Sequence, residues 1–164
     1  MKVTAQEEYG LRCALQLARA GTGGSLTLPE IASREGLTIP HAGKLLTMLR
    51  RGGVVTSVRG RSGGYRIARP ADSITTADVL RALGDRPWPE GHCQRHRGTL
   101  QTCVHVEGCS MRLLWGSLDS IVDRLLGSVT LQDLLQGRLP GDGPDRDRLA
   151  LLQTAAITAG KDPS

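Results

Sequence analysis

The chain has 164 residues and carries 21 Lys and Arg against 16 Asp and Glu, which gives a formal net charge of +5. It is 39% hydrophobic but has no Phe, two Trp and two Tyr, so we expect one core built from Leu, Ile, Val and Ala. No segment approaches the roughly 20 apolar residues of a membrane span, and the charged first residues do not fit a secretory signal. We therefore expect a cytoplasmic protein without membrane partners.

The first half of the chain predicts three helices and a hairpin. A helix over 4–20 begins at a capping box, a second runs from Thr27 to Gly36, and a third from Thr38 to Arg51. The β-rich runs 54–58 and 65–68 flank a glycine-rich turn and predict a hairpin. Two short helices joined by a tight turn and followed by a hairpin predict a winged helix-turn-helix.

The second half predicts a fourth helix over 75–83, then a Pro-, Gly- and His-rich loop over 85–108. In the long helix that follows, apolar residues recur at spacings of three and four, at Met111, Leu114, Leu118, Ile121 and Leu125. This seam is typical of a short coiled coil and predicts that the helix pairs two subunits. A short helix is expected after Thr130, and we expect the tail at 140–164 to be mobile.

The segment from Gly36 to Ala71 contains seven basic residues and no acidic one, so the rest of the chain is slightly acidic. A localised basic patch on a helix and a hairpin is typical of a surface that displaces counterions from the DNA backbone. For Arg50, Arg51 and Arg66, the alternative is a merely solvated basic face. The residues expected to contact double-stranded DNA are Thr38, Pro40, His41, Lys44, Arg50, Ser57, Arg59, Arg61, Ser62, Gly63 and Gly64.

With these elements placed, the chain resembles the Rrf2 family of bacterial transcription regulators over Met1 to about Leu139. Three downstream cysteines in the family's order support the resemblance. It implies a homodimer whose long helices cross, a pseudo-palindromic operator, and an iron–sulfur cluster at the subunit junction. The most specific part is the wing signature R-G-x-x-G-G-Y, formed by Arg59, Gly60, Gly63, Gly64 and Tyr65.

Three cysteines, Cys93, Cys103 and Cys109, lie in one loop and at the start of the long helix. A structural zinc site usually shows C-x2–4-C pairs, which these spacings lack. Unrelated cysteines in a polar loop are the plainer alternative. By the resemblance, the three positions match the family's cluster ligands, which implies a [2Fe-2S] or [4Fe-4S] cluster. Cys13, on the apolar side of the first helix, is expected to be a buried structural thiol.

A cluster also needs a fourth ligand. Some family members use a His three residues after the last cysteine, but here that residue is Arg112. Others use a carboxylate near the N-terminus of the partner subunit, and Glu8 stands at the matching position. The alternative role for Glu8 is to complement the helix dipole, by about 0.3–1 kcal/mol. His92, His96 and His105 are rival ligands, since imidazole also binds iron.

The predicted protein is mainly α with a small β-hairpin wing: a winged helix-turn-helix plus a long dimerisation helix. Its parts are a winged helix-turn-helix DNA-binding domain at 1–84, a cluster-binding loop at 85–109, and a dimerisation helix with a short C-terminal helix at 110–139. We expect a homodimeric repressor whose cluster senses nitric oxide, redox state or iron status. The alternatives are a cluster-free thiol- or zinc-dependent regulator and an iron–sulfur carrier. No phosphate loop, nucleophile elbow or metalloprotease motif is present, so no enzyme is expected.

Overall fold

The computed structural model describes residues 3–60, 63–84, 99–103, 105 and 109–139. Within these ranges the fold is mainly helical with one two-stranded antiparallel sheet, as predicted. The elements are α1 (Ala5–Arg19), α2 (Leu28–Glu35), α3 (Ile39–Arg51), β1 (Val55–Val58), β2 (Gly64–Ile67), a 3-10 turn (Ala71–Ser73), α4 (Thr76–Leu83), α5 (Ser110–Ser128) and α6 (Leu131–Leu135).

Threonine begins most of these helices. Its hydroxyl accepts a hydrogen bond from the backbone N–H three residues later, while the acidic side chain there accepts one from the threonine's own N–H. The reciprocal bonds satisfy amides that a helix leaves unpaired at its start. Hydrogen bonds from Thr27 hold the pKa of Glu30 below its ordinary value. The threonines in these capping boxes are Thr4, Thr27, Thr75 and Thr130.

The core lies where α1, α3 and α4 pack together, with the hairpin and α6 closing its sides. Its buried members are aliphatic apart from Cys13, which matches the composition of the chain. The short helix α6 contributes Leu131 to this core and is therefore part of the same head as α1–α4. The largest fully buried side chains include Leu17, Ile31, Leu45, Leu46, Leu49, Ile74 and Leu83.

A compact junction ties α5 to the head. The backbone N–H of Thr76 donates to the Val129 carbonyl at 2.8 Å, and that of Leu131 donates to the Ile74 carbonyl at 2.9 Å. The buried Thr76 hydroxyl donates to the carbonyl of Leu126, in the last turn of α5, at 2.7 Å. These bonds join the segment at the start of α4 to the segment that follows α5, so the end of α5 has a fixed place against α4.

Away from this junction, α5 buries none of its side chains. Four of the five predicted seam residues, Met111, Leu114, Ile121 and Leu125, are more than half exposed. None of the helices in the described ranges is long and apolar enough to cross a membrane. The seam is therefore an uncovered apolar face of the single chain.

Candidate nucleic-acid interface and thiol site

The N-terminal half of α3 presents one face to solvent. Thr38, Pro40 and Lys44 are exposed, whereas Ala42 and Leu45 on the other face are buried. Thr38 caps the helix, but no acidic residue lies in the first turn, unlike in α1, α2, α4 and α6. The positive end of the helix dipole is therefore not offset by a carboxylate, an arrangement suited to an approaching phosphate.

The sequence does not indicate the surroundings of two side chains in the first turn of α3. His41 is half-buried, and its ring meets that of Tyr9 edge to face, with 5.7 Å between centroids. Ile39 is 50% exposed and was not among the expected DNA contacts. An exposed apolar side chain here can contact a thymine methyl group. Its position between the capping Thr38 and Pro40 is the signal that could have identified it.

The wing is a tight hairpin fixed to the head. Ser57 pairs with Tyr65, and Tyr65 exchanges two backbone hydrogen bonds with Leu26, which precedes α2. Gly60 has a φ of +124°, a conformation that side chains rarely adopt. A side chain at Gly64 would collide with the Leu26 carbonyl, so glycine is required by this close approach.

Several predicted wing contacts can be placed. Ser57 and Arg59 are exposed, and Gly63 donates its backbone N–H to the Gly60 carbonyl at 2.9 Å. Arg61 and Ser62 lie outside the described residues.

Most of the basic patch is free to meet an anion. Arg69 is the exception, since its Nη2 lies 3.3 Å from Oδ2 of Asp78, a pair that the sequence does not reveal. Within the described ranges, the other basic side chains are exposed and form no ion pair; they are Lys44, Arg50, Arg51, Arg59 and Arg66.

The three cysteines that the structure describes fall into two environments. Cys13 is 0% exposed in α1, and burial raises the pKa of its thiol to about 11. It is therefore protonated near neutral pH, and the expected buried structural thiol is confirmed. Cys103 and Cys109 are half-buried free thiols, and Cys109 is the N-cap of α5 without a side-chain capping bond. Cys93 lies outside the described residues.

No group of three or more His, Cys, Asp and Glu that could hold a metal occurs in the described ranges. His105 is exposed, while His92 and His96 fall outside those ranges. The two described thiols, partly exposed and unpaired, fit a thiophilic group such as iron better than the buried Cys13 does.

The side chains in the first turn of α1 have different surroundings. Gln6 donates from Nε2 to the Leu83 carbonyl at the end of α4. Glu7 belongs to the capping box with Thr4. Glu8 lies about 200° around the helix from Gln6 and is exposed, and its side chain forms no hydrogen bond or ion pair with the described residues. Its carboxylate therefore faces away from α4 of its own chain.

Comparison with known proteins decides the family. Residues 3–137 match the family model named Rrf2, described as an iron-dependent transcriptional regulator. The chain belongs to the Rrf2 family. It is 32% identical over 136 residues to the protein rrf2 of Nitratidesulfovibrio vulgaris, a match that covers 83% of this chain and 88% of the relative.

Solved structures agree with this assignment. IscR of T. potens superposes with a TM-score of 0.66 at 30% identity, over 84% of this chain and 88% of that one. CymR, the global cysteine regulator of B. subtilis, gives a TM-score of 0.63 at 30% identity, over 82% and 95%. The chain is thus an Rrf2-family winged-helix transcriptional regulator and not an enzyme.

Proposed function

We propose that this Rrf2-family chain is a cytoplasmic homodimeric repressor that binds a pseudo-palindromic operator and whose DNA affinity is controlled by an iron–sulfur cluster. The observation that carries the DNA-binding part is the surface shared by the first half of α3 and the wing. Its described cations, apart from Arg69, have no carboxylate partner, so their charge is available to phosphates. His41 and Lys44 would reach base edges or phosphates of the major groove, and Arg59 and Arg61 would enter the minor groove.

The uncovered seam of α5 supports the dimer. Side chains that are more than half exposed, such as Ile121 and Leu125, gain by removal from water, at about 25 cal/mol per Å² of apolar surface. A second copy offers the same seam, as a two-fold interface requires. In this arrangement the head at 1–84 is completed by α6, the ligand loop spans 85–109, and α5 is the dimerisation helix.

Cys93, Cys103 and Cys109 would hold the cluster, with Glu8 of the partner subunit as the fourth ligand. Support for Glu8 comes from its exposure and from its direction away from its own α4. When bound, the cluster supplies a site that reacts with nitric oxide or oxidants and depends on iron supply. A carboxylate oxygen is a harder ligand than a thiolate, so it is the ligand most easily displaced.

The connection between this site and DNA lies in the contacts of α1. The ligand loop follows directly on α4. The carbonyl of Leu83, the last residue of α4, accepts a hydrogen bond from Gln6, which lies two residues before Glu8 in α1. Cys109 begins α5, whose far end is joined to α4 through Thr76. Ligation across the subunits would therefore restrain both the first turn of α1 and the start of α5, and loss of iron would release both.

A regulator without a cluster is the second candidate. The similarity to CymR, a cysteine regulator, at the same identity as to IscR favours it. In that case Cys103 and Cys109 would act as regulatory thiols or bind zinc.

Anaerobic purification distinguishes the two candidates. We expect coloured protein with iron and sulfide absorption, bleached by Cys93→Ala, Cys103→Ala and Cys109→Ala but not by Cys13→Ala. Colourless protein, or stoichiometric zinc without iron from iron-replete cells, would instead support the second candidate.

Glu8 requires a matched comparison. Glu8→Gln keeps the side-chain length and should leave a dimer that assembles a cluster with an altered spectrum and weaker coupling to DNA affinity. Glu7→Gln is a poorer match than its neighbouring position suggests, because it also removes the capping carboxylate. Asp72→Asn, exposed in the 3-10 turn, removes one surface charge without a cap. A spectrum and DNA response for Glu8→Gln identical to those of Asp72→Asn would return Glu8 to the helix-dipole role.

The DNA-binding proposal is tested separately by salt. The probe is the duplex that the protein selects from a randomised pool. If the dimer neutralises on the order of six phosphates, a plot of log affinity against log salt should have a slope near −5. A flat salt response on the selected duplex would reject binding through the basic surface.

A further inference from the structure

A line of side-chain contacts crosses α1 and joins α2 to the DNA-facing end of α3. It begins at Glu35, which is 7% exposed and lies at the end of α2. Arg12 of α1 donates from Nε to the Glu35 carboxylate at 2.6 Å and from Nη2 to its backbone carbonyl at 3.3 Å. Gln16 also donates to the Glu35 carboxylate. The buried carboxylate therefore has its partners on a single neighbouring helix.

The same guanidinium continues the line. Its Cζ lies 5.4 Å from the centroid of the Tyr9 ring, within the range of a cation–π contact. The hydrogen bond that Arg12 donates to Glu35 raises the pKa of its guanidinium, which as an arginine side chain is charged at every physiological pH in any case. The guanidinium of Arg12 is thus held by two hydrogen bonds to Glu35 and lies over the ring of Tyr9.

Tyr9 in turn meets His41. The two rings are nearly perpendicular, at 84°, with centroids 5.7 Å apart, the edge-to-face arrangement that aromatic quadrupoles favour. His41 lies in the first turn of α3, where its backbone N–H donates to the capping hydroxyl of Thr38. Its backbone and its ring are therefore each fixed by a different neighbour.

We propose that Tyr9 is a positioning residue for DNA recognition, which holds the His41 imidazole in one orientation at the reading end of α3, with Arg12 and Glu35 bracing Tyr9. This inference rests on the proposed function, since it requires that α3 reads DNA. A ring that is already ordered loses less conformational freedom on binding. The benefit therefore falls on specific recognition and not on attraction to the backbone.

The contact has a direct spectroscopic signature. An aromatic ring shifts the proton resonances of a group packed against it, and the chain has only four histidines. The His41 imidazole signal is assigned by its loss in His41→Ala. We expect Tyr9→Leu to move this signal toward its solvent-exposed position, and Tyr9→Phe, which keeps the ring, to leave it near its parent position.

The functional measurement uses two duplexes, the one selected by the parent protein from a randomised pool and a shuffled duplex of equal length. We expect Tyr9→Leu to bind the selected duplex roughly threefold to tenfold more weakly. Its affinity for the shuffled duplex and its salt slope should stay at parent values, because no phosphate contact is removed. Tyr9→Phe should restore the parent affinity. Tyr9→Met, which fills the space without a ring, replaces Tyr9→Leu if the latter fails to fold.

The outcomes separate the two ideas. If His41→Ala weakens binding to the selected duplex but Tyr9→Leu does not, the positioning role is rejected while the proposed function stands. An unmoved His41 signal in Tyr9→Leu rejects it as well. If the parent protein does not prefer the selected duplex over the shuffled one, the proposed function fails and the positioning role falls with it.

Discussion

At the scale of single residues, burial decides which thiols of this protein can react. Cys13 has no exposed surface and lies among aliphatic side chains of the core, whereas Cys103 and Cys109 are partly open to solvent. A thiol acts as a nucleophile or a metal ligand only as the thiolate, which an apolar environment disfavours. The Cys13 thiol is therefore part of the packing of the core.

This difference can be measured through stability. The pKa of Cys13 is about 11 in the folded protein and near its ordinary 9.0 when unfolded. Between these two pKa values only the unfolded state loses the thiol proton. The stability that the protonated Cys13 thiol contributes is therefore complete below about pH 9 and is lost as pH rises to about 11. We expect the free energy of unfolding to fall over this window by on the order of 1–3 kcal/mol more in the parent than in Cys13→Ala. Urea denaturation at several pH values measures this free energy. An equal fall for the two proteins across the window would contradict the prediction.

Arg59 is the described residue at the tip of the wing best placed to enter a groove. It is exposed and has no ion pair in the described part of the chain, so its removal should leave the fold intact. We expect Arg59→Ala to lose about 1–3 kcal/mol of affinity for the selected duplex and to relax base preference in the flanking tract. Fluorescence anisotropy measures this loss. Arg19→Ala, an exposed cation at the end of α1, is the control, and equal losses in both variants would exclude Arg59 from base recognition.

At the scale of the elements, the packing of α1 on α4 depends on a residue without a side chain. Gly10 is buried, and a Cβ at this position would overlap the side chain of Leu83, which has no exposed surface. The same pair of helices is joined by the bond from Gln6 to the Leu83 carbonyl. Close approach at Gly10 thus brings the start of α1 to the end of α4, where the proposed ligand loop would begin.

Two glycine substitutions should have opposite signs. Gly10→Ala should destabilise the protein by about 1–3 kcal/mol, because a well-packed core must shift to admit the methyl group. At Gly43, in α3, a Cβ meets Leu28 at an ordinary 3.6 Å. Gly43→Ala should therefore stabilise the protein by up to about 1 kcal/mol through helix propensity. Denaturant midpoints test both, and a destabilised Gly43→Ala would mean that α3 has no room on that face.

The elements themselves could be predicted because their signals are local. Each capping threonine and its acidic partner lie three residues apart, so the starts of α1, α2 and α4 follow from short stretches of sequence. The aliphatic core likewise follows from the lack of Phe. The periodic apolar positions of α5 identify the seam in the same way, since they depend only on helical repeat.

The contacts that shape the candidate site could not be predicted, because they join residues far apart in sequence. Arg69 looks like one more cation of the patch until its pairing with Asp78 is seen. Nothing near His41 in the sequence indicates the ring of Tyr9. The place of Cys109 at the start of α5, in contrast, could be anticipated, because it directly precedes the long helix in sequence.

At the scale of the whole molecule, the proposed dimer depends on the uncovered seam of α5. Ile121 is near the middle of the seam and 54% exposed. Ile121→Glu should place a pair of like charges at a two-fold interface, which costs more than the apolar contact it replaces. We expect sedimentation to show the parent at twice the mass of the 17.5 kDa chain and Ile121→Glu as a monomer with weak operator binding. Ser120→Glu adds the same charge beside the seam, and a dimeric Ile121→Glu would show that the subunits meet elsewhere.

The junction between α4 and the end of α5 has a consequence for the DNA. Thr76 and Leu131 donate main-chain hydrogen bonds across this junction, and the Thr76 hydroxyl donates a third bond to α5. Together these bonds fix the orientation of α5 relative to the head. In a dimer that pairs through α5, the two α3 helices would then lie at a fixed distance and angle from each other. One added base pair between half-sites moves them about 3.4 Å apart and turns one by roughly 35°. Such a dimer would not accommodate that change, so it would discriminate between DNA sites by the spacing of their half-sites as well as by their base sequence.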